Sequence, residues 1–422
     1  MHIIIKKVKI LDRNSSHAGK TTDIYIKGGI IQKIGRNLTA RSAKVLEFEN
    51  AHASIGWFDI GTQIGEPGFE HRETIESVSA AAAKGGYTGI ACFPNTSPVI
   101  QSKSEIEYIK TKSASSLIDF HPIGAVSRDT RGTDLTEMID MHHHGAIAFS
   151  DGNHYEDNDG LLLRALKYVK SFDGLIINPP FKQLLSLNGQ MHEGEISTSL
   201  GMVGIPRIAE EIALHRDINL LKYTKSKLLS HTLSTAAAVN LIRKAKEKKL
   251  RIFASVSAYS LGFTDSDIQG FDPNLKVLPP FREQHDAKAL IKGIADNTID
   301  CICSNHVPLE EEAKKLEYPY AEFGAIGLET CFPFLNNISS RSLSLQRIID
   351  KLAYGPRQIL NIPIPTIKKG AKANITIFNP KAEWTYQLSD IASKSKNSPV
   401  IGKKLKGKIY MVINGEAGKI NE

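Results

Sequence analysis

Apolar residues recur along this chain with two periods, and the period changes twice. Over residues 1–54 they alternate. HIIIKKVKIL, TDIYIKGGIIQKIG and AKVLEF follow the two-residue period of half-buried strands and are separated by turn signals at Gly28-Gly29 and Gly35. Residues 366–422 behave likewise: KANITIFNP, AEWTYQL and GKIYMVINGEAGKI predict strands, with a turn at Asn414-Gly415. Three short strands cannot bury a core alone, so the two ends are expected to pair into one small β-sandwich domain.

Residues 55–365 keep a different rhythm. Short apolar runs (TGIACFPN, IDFHPIGAV, GAIAFSD, GLIINPP, KLLSH, RIFASVS, IDCICSN) alternate with helical segments such as TIESVSAAAAKGG, LLLRALKYVKSF, IPRIAEEIALHRDINLLKYT and TAAAVNLIRKAKEKK. Buried strands alternating with longer helices mean βαβ units and a parallel sheet. Seven or eight units over roughly 300 residues fit a (β/α)8 TIM-like barrel better than an open sheet. The expected class is α/β: a barrel over 55–365 and a small β domain built from 1–54 and 366–422. A barrel does its chemistry at the C-terminal ends of its strands, so the informative stretches are 59–68, 94–98, 150–153, 178–181, 230–235, 257–261 and 304–309.

Composition narrows the function classes. With 41% hydrophobic and 23% charged residues the chain is an ordinary globular protein. No apolar run approaches the ~18 residues of a membrane span, and the strand-like start lacks the small-residue cleavage site of a signal peptide. The net charge of +8 comes from short basic runs without interleaved aromatics, which predicts a solvated surface and no nucleic-acid groove. Cys92, Cys301, Cys303 and Cys331 have no CxxC spacing and apolar neighbours, so buried thiols in a cytoplasmic protein are expected. His142-His143-His144 follows a predicted helix and reads as a surface connection, because three consecutive side chains do not converge on one ion. Glu310-Glu311-Glu312 with Lys314-Lys315 reads as a solvated helix start.

The strand ends resemble dihydroorotases of the amidohydrolase superfamily, of the type that associates with aspartate transcarbamoylase. WFDIGTQIGEPG is similar to the family's F-I-D-x-H-x-H-x-R-E-P-G, and GGYTGIACFPNTSPV to its GG[FY]T segment ending in P-N-T-x-P. NGQMHEGEISTSLGMVGIPRIAEE, LPPFR, GAIGLET and SKSKNSPVIGKKLKGKI resemble further family segments in the same order. The resemblance covers nearly the whole chain. It implies an amidohydrolase-type barrel and the reversible closure of carbamoyl aspartate to dihydroorotate by a metal-bound hydroxide. One or two Zn²⁺ would need His and carboxylate ligands, a carboxylate would shuttle the proton, and a cation would hold the substrate carboxylate.

Those requirements are not met here. Carried over by position, the family's metal ligands fall on Gly61, Gln63, Pro179, Thr232 and Asn305, with Asn305 also at the position of the catalytic Asp, and the final His of that motif is Leu309. Gly and Pro offer no donor, and neutral amides are poor zinc ligands. The carboxylate-clamping Arg is replaced by Gly65, and the Asn before the P-P-L-R motif by Leu278. Residual candidates are Asp151, Asn95, His231 and His306. His231 neighbours Thr232, but one residue along a strand points to the opposite face; Asp151 reads as a backbone-bonding strand end. The expectation is a family member without a metal site or catalytic base, needing no cofactor, with a structural role beside aspartate transcarbamoylase and a homodimeric state implied by the resemblance. The alternatives are an active dihydroorotase using His231, Asp151 and His306 around one Zn²⁺, and a module that holds a small pyrimidine-pathway ligand without converting it.

Overall fold

The computed structural model describes residues 1–154, 157–340 and 342–421. Strands Trp57–Thr62, Tyr87–Cys92 and Asp119–Pro122 pair in parallel, as do Leu175–Asn178, Lys227–Ser230, Ile252–Ser257 and Cys301–Cys303. Residues 147–150 form the link between the two sets: Phe149 bridges Gly124 on one side and Ile176 on the other. That makes eight strand positions around one barrel. The barrel closes between the first and last strands, where Asp59 accepts from the Ser304 amide and hydroxyl and from Thr62 Oγ1, each at 2.7 Å. The Gln63 amide also donates to the His306 carbonyl across this seam. Phe58, Ile60, Ala91, Ile123, Ile177, Leu229 and Cys301 fill the interior, as expected of a barrel whose inward side chains pack in layers.

Helices cover the outside, and their sequences show why they start where they do. Thr74 and Ser77 form a reciprocal capping box at helix Ile75–Gly85, which stops at Gly86 with φ 93°; both devices satisfy backbone groups that a helix end leaves unpaired. Thr235 caps Ala236–Glu247 and Asn158 caps Asp159–Lys170 in the same way.

The chain ends share a separate eight-stranded sheet. His2–Ile10 pairs with Thr21–Lys27, Lys44–Glu47 and His52–Ile55; Thr21–Lys27 pairs on its other side with Ile30–Gly35, and His52–Ile55 pairs in turn with Asn374–Thr385 of the C-terminal segment. Lys404–Asn414 and Ala417–Ile420 complete it through the hairpin at Gly415. The two separate strands expected in KANITIFNP and AEWTYQL are one strand. Its pairing lapses between Asn379 and Glu383, around Pro380, which has no N–H to give the ladder.

Two local expectations change. The His142-His143-His144 tract is the last turn of helix Met138–His144, not a connection; the His142 ring stacks on Phe172 and His144 Nδ1 lies 2.8 Å from the Asp140 carbonyl. Lys314 is not solvated: it is 7% exposed, and its ammonium donates to the Pro273, Lys276 and Glu322 carbonyls. All four cysteines are buried and free.

Asp59 predicts the cost of opening the barrel seam. Asp59→Ala strands the buried Ser304 amide and is expected to destabilise the fold by about 2–4 kcal/mol, read as a lower urea midpoint. An unchanged midpoint would show that the seam is held by packing alone.

Candidate functional site

At the C-terminal end of the barrel lies a cavity of ≈ 100 Å³. Its wall includes Gly61, Gln63, Pro179, Thr232 and Asn305, together with His231, Phe93 and Leu278. Folding therefore brings the five expected metal-ligand positions to one place. Their side chains supply little to it. Among the described residues, no three His, Cys, Asp or Glu side chains converge there. Asn305, with φ 50°, donates its amide to the Leu278 carbonyl at 3.2 Å. Thr232, with φ 55°, turns its hydroxyl onto the His231 carbonyl.

The positive φ of Thr232 also corrects the expectation for His231. Strand Lys227–Ser230 has ended before His231, so strict alternation no longer applies, and the ring faces the cavity. It is 2% exposed and meets the Phe93 ring edge-on, centroids 5.2 Å apart at 89°. Ser255 Oγ accepts the Thr232 amide and lies 2.9 Å from His231 Nδ1. A hydroxyl oxygen accepts twice and also donates, so this contact can be made with the ring proton on either nitrogen. Among the described residues Nε2 has no hydrogen-bond partner. Burial pushes the pKa of this ring down to about 3, so it is neutral at physiological pH.

A side chain at Gly61 would require the rings around it to move and would strain the backbone. With φ 87°, a Cβ there would stand 2.6 Å from Phe93 Cε2 and 2.8 Å from His231 Nε2, well inside van der Waals contact. Gly65, with φ 68°, would bring a Cβ to 2.4 Å from the Glu73 carbonyl oxygen, so the backbone also refuses the expected Arg. A zinc ion does not fit this donor set: two positions carry no ligand atom, three carry neutral oxygen or amide groups, and His231 adds a single imidazole.

The remaining candidates are used elsewhere. Asp151 Oδ1 accepts from the Val126 and Ser127 amides, and Oδ2 from the Ser127 hydroxyl at 2.6 Å; burial pushes its carboxyl above the ordinary range against those bonds. Asn95 donates to the Asp151 carbonyl and accepts from the Asn153 amide, and with Gly65 it borders an adjoining hollow, not the central cavity. His306 does not line the cavity. It is 1% exposed, Nδ1 accepts from the Gly327 amide, and Nε2 lies 3.3 Å from Glu73 Oε2. Glu73 is also bonded by the Ser393 hydroxyl and the Lys394 amide. Burial pushes its carboxyl up, but His306 and these donors hold it below the ordinary value. Sequence reasoning missed Glu73 and the plug residue Phe93, because nothing in a local motif marks a side chain that acts on a distant segment.

A second cluster, His192, Asp265 and Glu283, has ligand atoms within 4.8 Å of one another. Arg282 Nη1 donates to His192 Nδ1 at 3.0 Å. Because a guanidinium only donates, Nε2 carries the proton and faces Glu283 Oε1 at 3.6 Å. That nitrogen has no lone pair for a cation. Burial, then Arg282 and Arg207, push His192 down to about 4.

Both His231 and His192 stay neutral when folded yet take up a proton at about pH 6.5 when unfolded. Stability attributable to them is fully present above about pH 6.5 and falls as pH drops towards 4. His231→Gln should make the acid limb of urea midpoint against pH shallower; an unchanged slope would contradict a buried neutral ring. Gly61→His should cost about 2–4 kcal/mol through overpacking and backbone strain and should bind no Zn²⁺ by equilibrium dialysis; zinc uptake by this single variant would show that Phe93 and His231 yield easily.

A family model described as Dihydro-orotase-like matches residues 54–236. The dihydroorotase of Pelotomaculum thermopropionicum is 38% identical over 419 residues, covering 98% of this chain and 97% of that one. The dihydroorotase of Geotalea daltonii is 35% identical over 420 residues, covering 99% of each. Among solved structures, the L-hydantoinase (dihydropyrimidinase) of Arthrobacter aurescens superposes with a TM-score of 0.87 at 22% identity, covering 100% of this chain and 98% of that chain. The dihydropyrimidinase of Brevibacillus agri gives 0.83 at 20% identity, covering 100% and 95%. These structures share the fold, and the full-length identities carry the closer relationship: the chain belongs to the dihydroorotase family of the amidohydrolase superfamily.

Proposed function

We propose that this protein is a non-catalytic dihydroorotase relative that serves pyrimidine biosynthesis in the cytoplasm as a structural partner of aspartate transcarbamoylase. One observation carries the first half of this reading: Phe93 and His231 Nε2 stand where a Gly61 side chain would have to be. A hydroxide-generating metal needs charged or lone-pair donors at fixed positions, and the cavity wall offers a single imidazole. Asn305 in place of the catalytic Asp removes the proton shuttle as well. The cavity among these five positions is ≈ 100 Å³, room for a few waters. It shares Asn153, Leu278 and Phe323 with a hollow of ≈ 1020 Å³, so volume alone does not argue against a small ligand at the barrel mouth. The partner assignment rests on the resemblance to the transcarbamoylase-associated type, and the intact frame is consistent with it.

A second reading, an active dihydroorotase, is favoured by the names of relatives at 34–38% identity over the full length. It would have to draw on His231, Asp151 and His306. Only the first of these faces the cavity; the others are committed to Ser127 and Glu73. For turnover, Phe93 and the His231 ring would have to swing out before a metal could enter.

Protein purified without chelator separates the readings. The expected result is substoichiometric zinc and no dihydroorotate hydrolysis with or without added Zn²⁺; one zinc per chain with turnover would overturn the non-catalytic assignment. Sedimentation with the same organism's aspartate transcarbamoylase at micromolar concentration should give a complex, and two independent boundaries would remove the structural-partner role.

A further inference from the structure

The opposite end of the barrel holds a second cavity, of ≈ 440 Å³. Phe58, Gly89 and Asp119 stand in one register row at the starts of their strands and form its roof with His121. Arg357, on the short helix Gly355–Ile359, lies against it, and the segment 362–366 closes its side. This N-terminal face of a barrel ordinarily reads as a stability face. Part of Arg357 fits that account: Nη1 donates to the Gly56 and Ala353 carbonyls, and Nη2 to Thr88 Oγ1.

The rest of it does not. Arg357 is 4% exposed. Its guanidinium carbon lies 5.5 Å from the centre of the Phe58 ring and Asp119 acts on it electrostatically. Yet among the described residues no carboxylate lies within ion-pair distance of it, and its Nε–H and second Nη2–H have no hydrogen-bond acceptor. Buried charges are ordinarily paired, because an isolated one loses its hydration without return. The free Nε and Nη2 donors are the components of the guanidinium fork that grips a carboxylate in two parallel bonds. His121, partly exposed beside Phe58 at a ring separation of 5.2 Å, makes no side-chain hydrogen bond among the described residues and can add a donor. Lys368 and Lys372 at the rim outnumber the one wall carboxylate, exposed Asp119. Ile362, Pro363, Ile364 and Pro365 make the side wall apolar.

We propose that this cavity is a binding site for a small organic carboxylate with an apolar body, its carboxylate on the free edge of Arg357 and its body against Phe58 and the 362–365 segment. The site lies at the far end of the barrel from Gly61 and does not depend on whether the upper cavity is catalytic. Rim lysines raise the local anion concentration, the fork fixes orientation, and the apolar wall selects against inorganic anions.

Equilibrium dialysis of the full chain with labelled benzoate tests this. One site per chain is expected, with Kd of about 0.1–1 mM for so small a ligand. Unlabelled hexanoate should displace benzoate, while neutral benzamide should not, and inorganic phosphate should compete less well than hexanoate. Arg357→Met should abolish binding. Because that variant also loses two carbonyl contacts, the exposed pair Lys368→Glu/Lys372→Glu provides a second test, expected to weaken binding about tenfold with an unchanged thermal midpoint in the absence of benzoate. No binding at about 10 mM benzoate, equal displacement by benzamide, phosphate competing more strongly than hexanoate, or wild-type affinity in the double lysine variant would each overturn the proposal.

Discussion

The edge-to-face contact between Phe93 and His231, closed over the bare backbone of Gly61, is the constraint on which the upper end of this barrel depends. Each partner needs the others. The Phe93 ring occupies the space above Gly61 only because no Cβ stands there, and the His231 ring is held over it by Ser255, whose hydroxyl is oriented by the Thr232 amide. That imidazole, desolvated to a pKa of about 3, is a neutral wedge. Packing of this density does not shift for a ligand without loss of contact energy. At this end of the barrel the two rings fill the space beside Gly61.

The charged groups that remain near it are frame elements. Asp59 closes the barrel seam through Ser304 and Thr62, and Glu73 ties His306 to the returning C-terminal segment at Ser393 and Lys394. Glu210 accepts from the Ser234 amide and hydroxyl and from Thr235, while Arg282 reaches from the other side to Ser234 and the Ile205 carbonyl. Each is a buried ion whose hydrogen-bonding capacity is largely committed to backbone and hydroxyl partners, the arrangement that makes a buried charge tolerable. None is turned towards the central cavity. These buried networks position the strands of a fold that superposes on an L-hydantoinase with a TM-score of 0.87.

Much of the architecture was legible in the sequence because it is written in local periods. Helix Ile75–Gly85, helix Ala236–Glu247 and the strand Ile252–Ser257 follow directly from their apolar spacing and caps. The positions carried over from the family motifs, Gly61, Gln63, Pro179, Thr232 and Asn305, do meet on one cavity wall. What the sequence concealed is three-dimensional. The facing of His231 depends on a left-handed residue after the strand has ended, and period-two alternation has no term for that. The engagement of His306 by Glu73 spans 233 residues. Lys314 looks like a surface lysine beside three glutamates until three carbonyls converge on it. Arg357 sits in an unremarkable helical context, and only the closure of the barrel beneath it reveals a buried cation that, among the described residues, has no carboxylate within ion-pair distance.

Anomalous diffraction at the zinc absorption edge, from crystals grown with excess zinc chloride, tests the central claim most directly because it reads out position as well as presence. The account predicts no anomalous peak within the cavity bounded by Gly61, Phe93, His231 and Asn305, with the Phe93 and His231 rings in van der Waals contact. A peak at that position, coordinated by His231 Nε2 with Phe93 displaced, would contradict it.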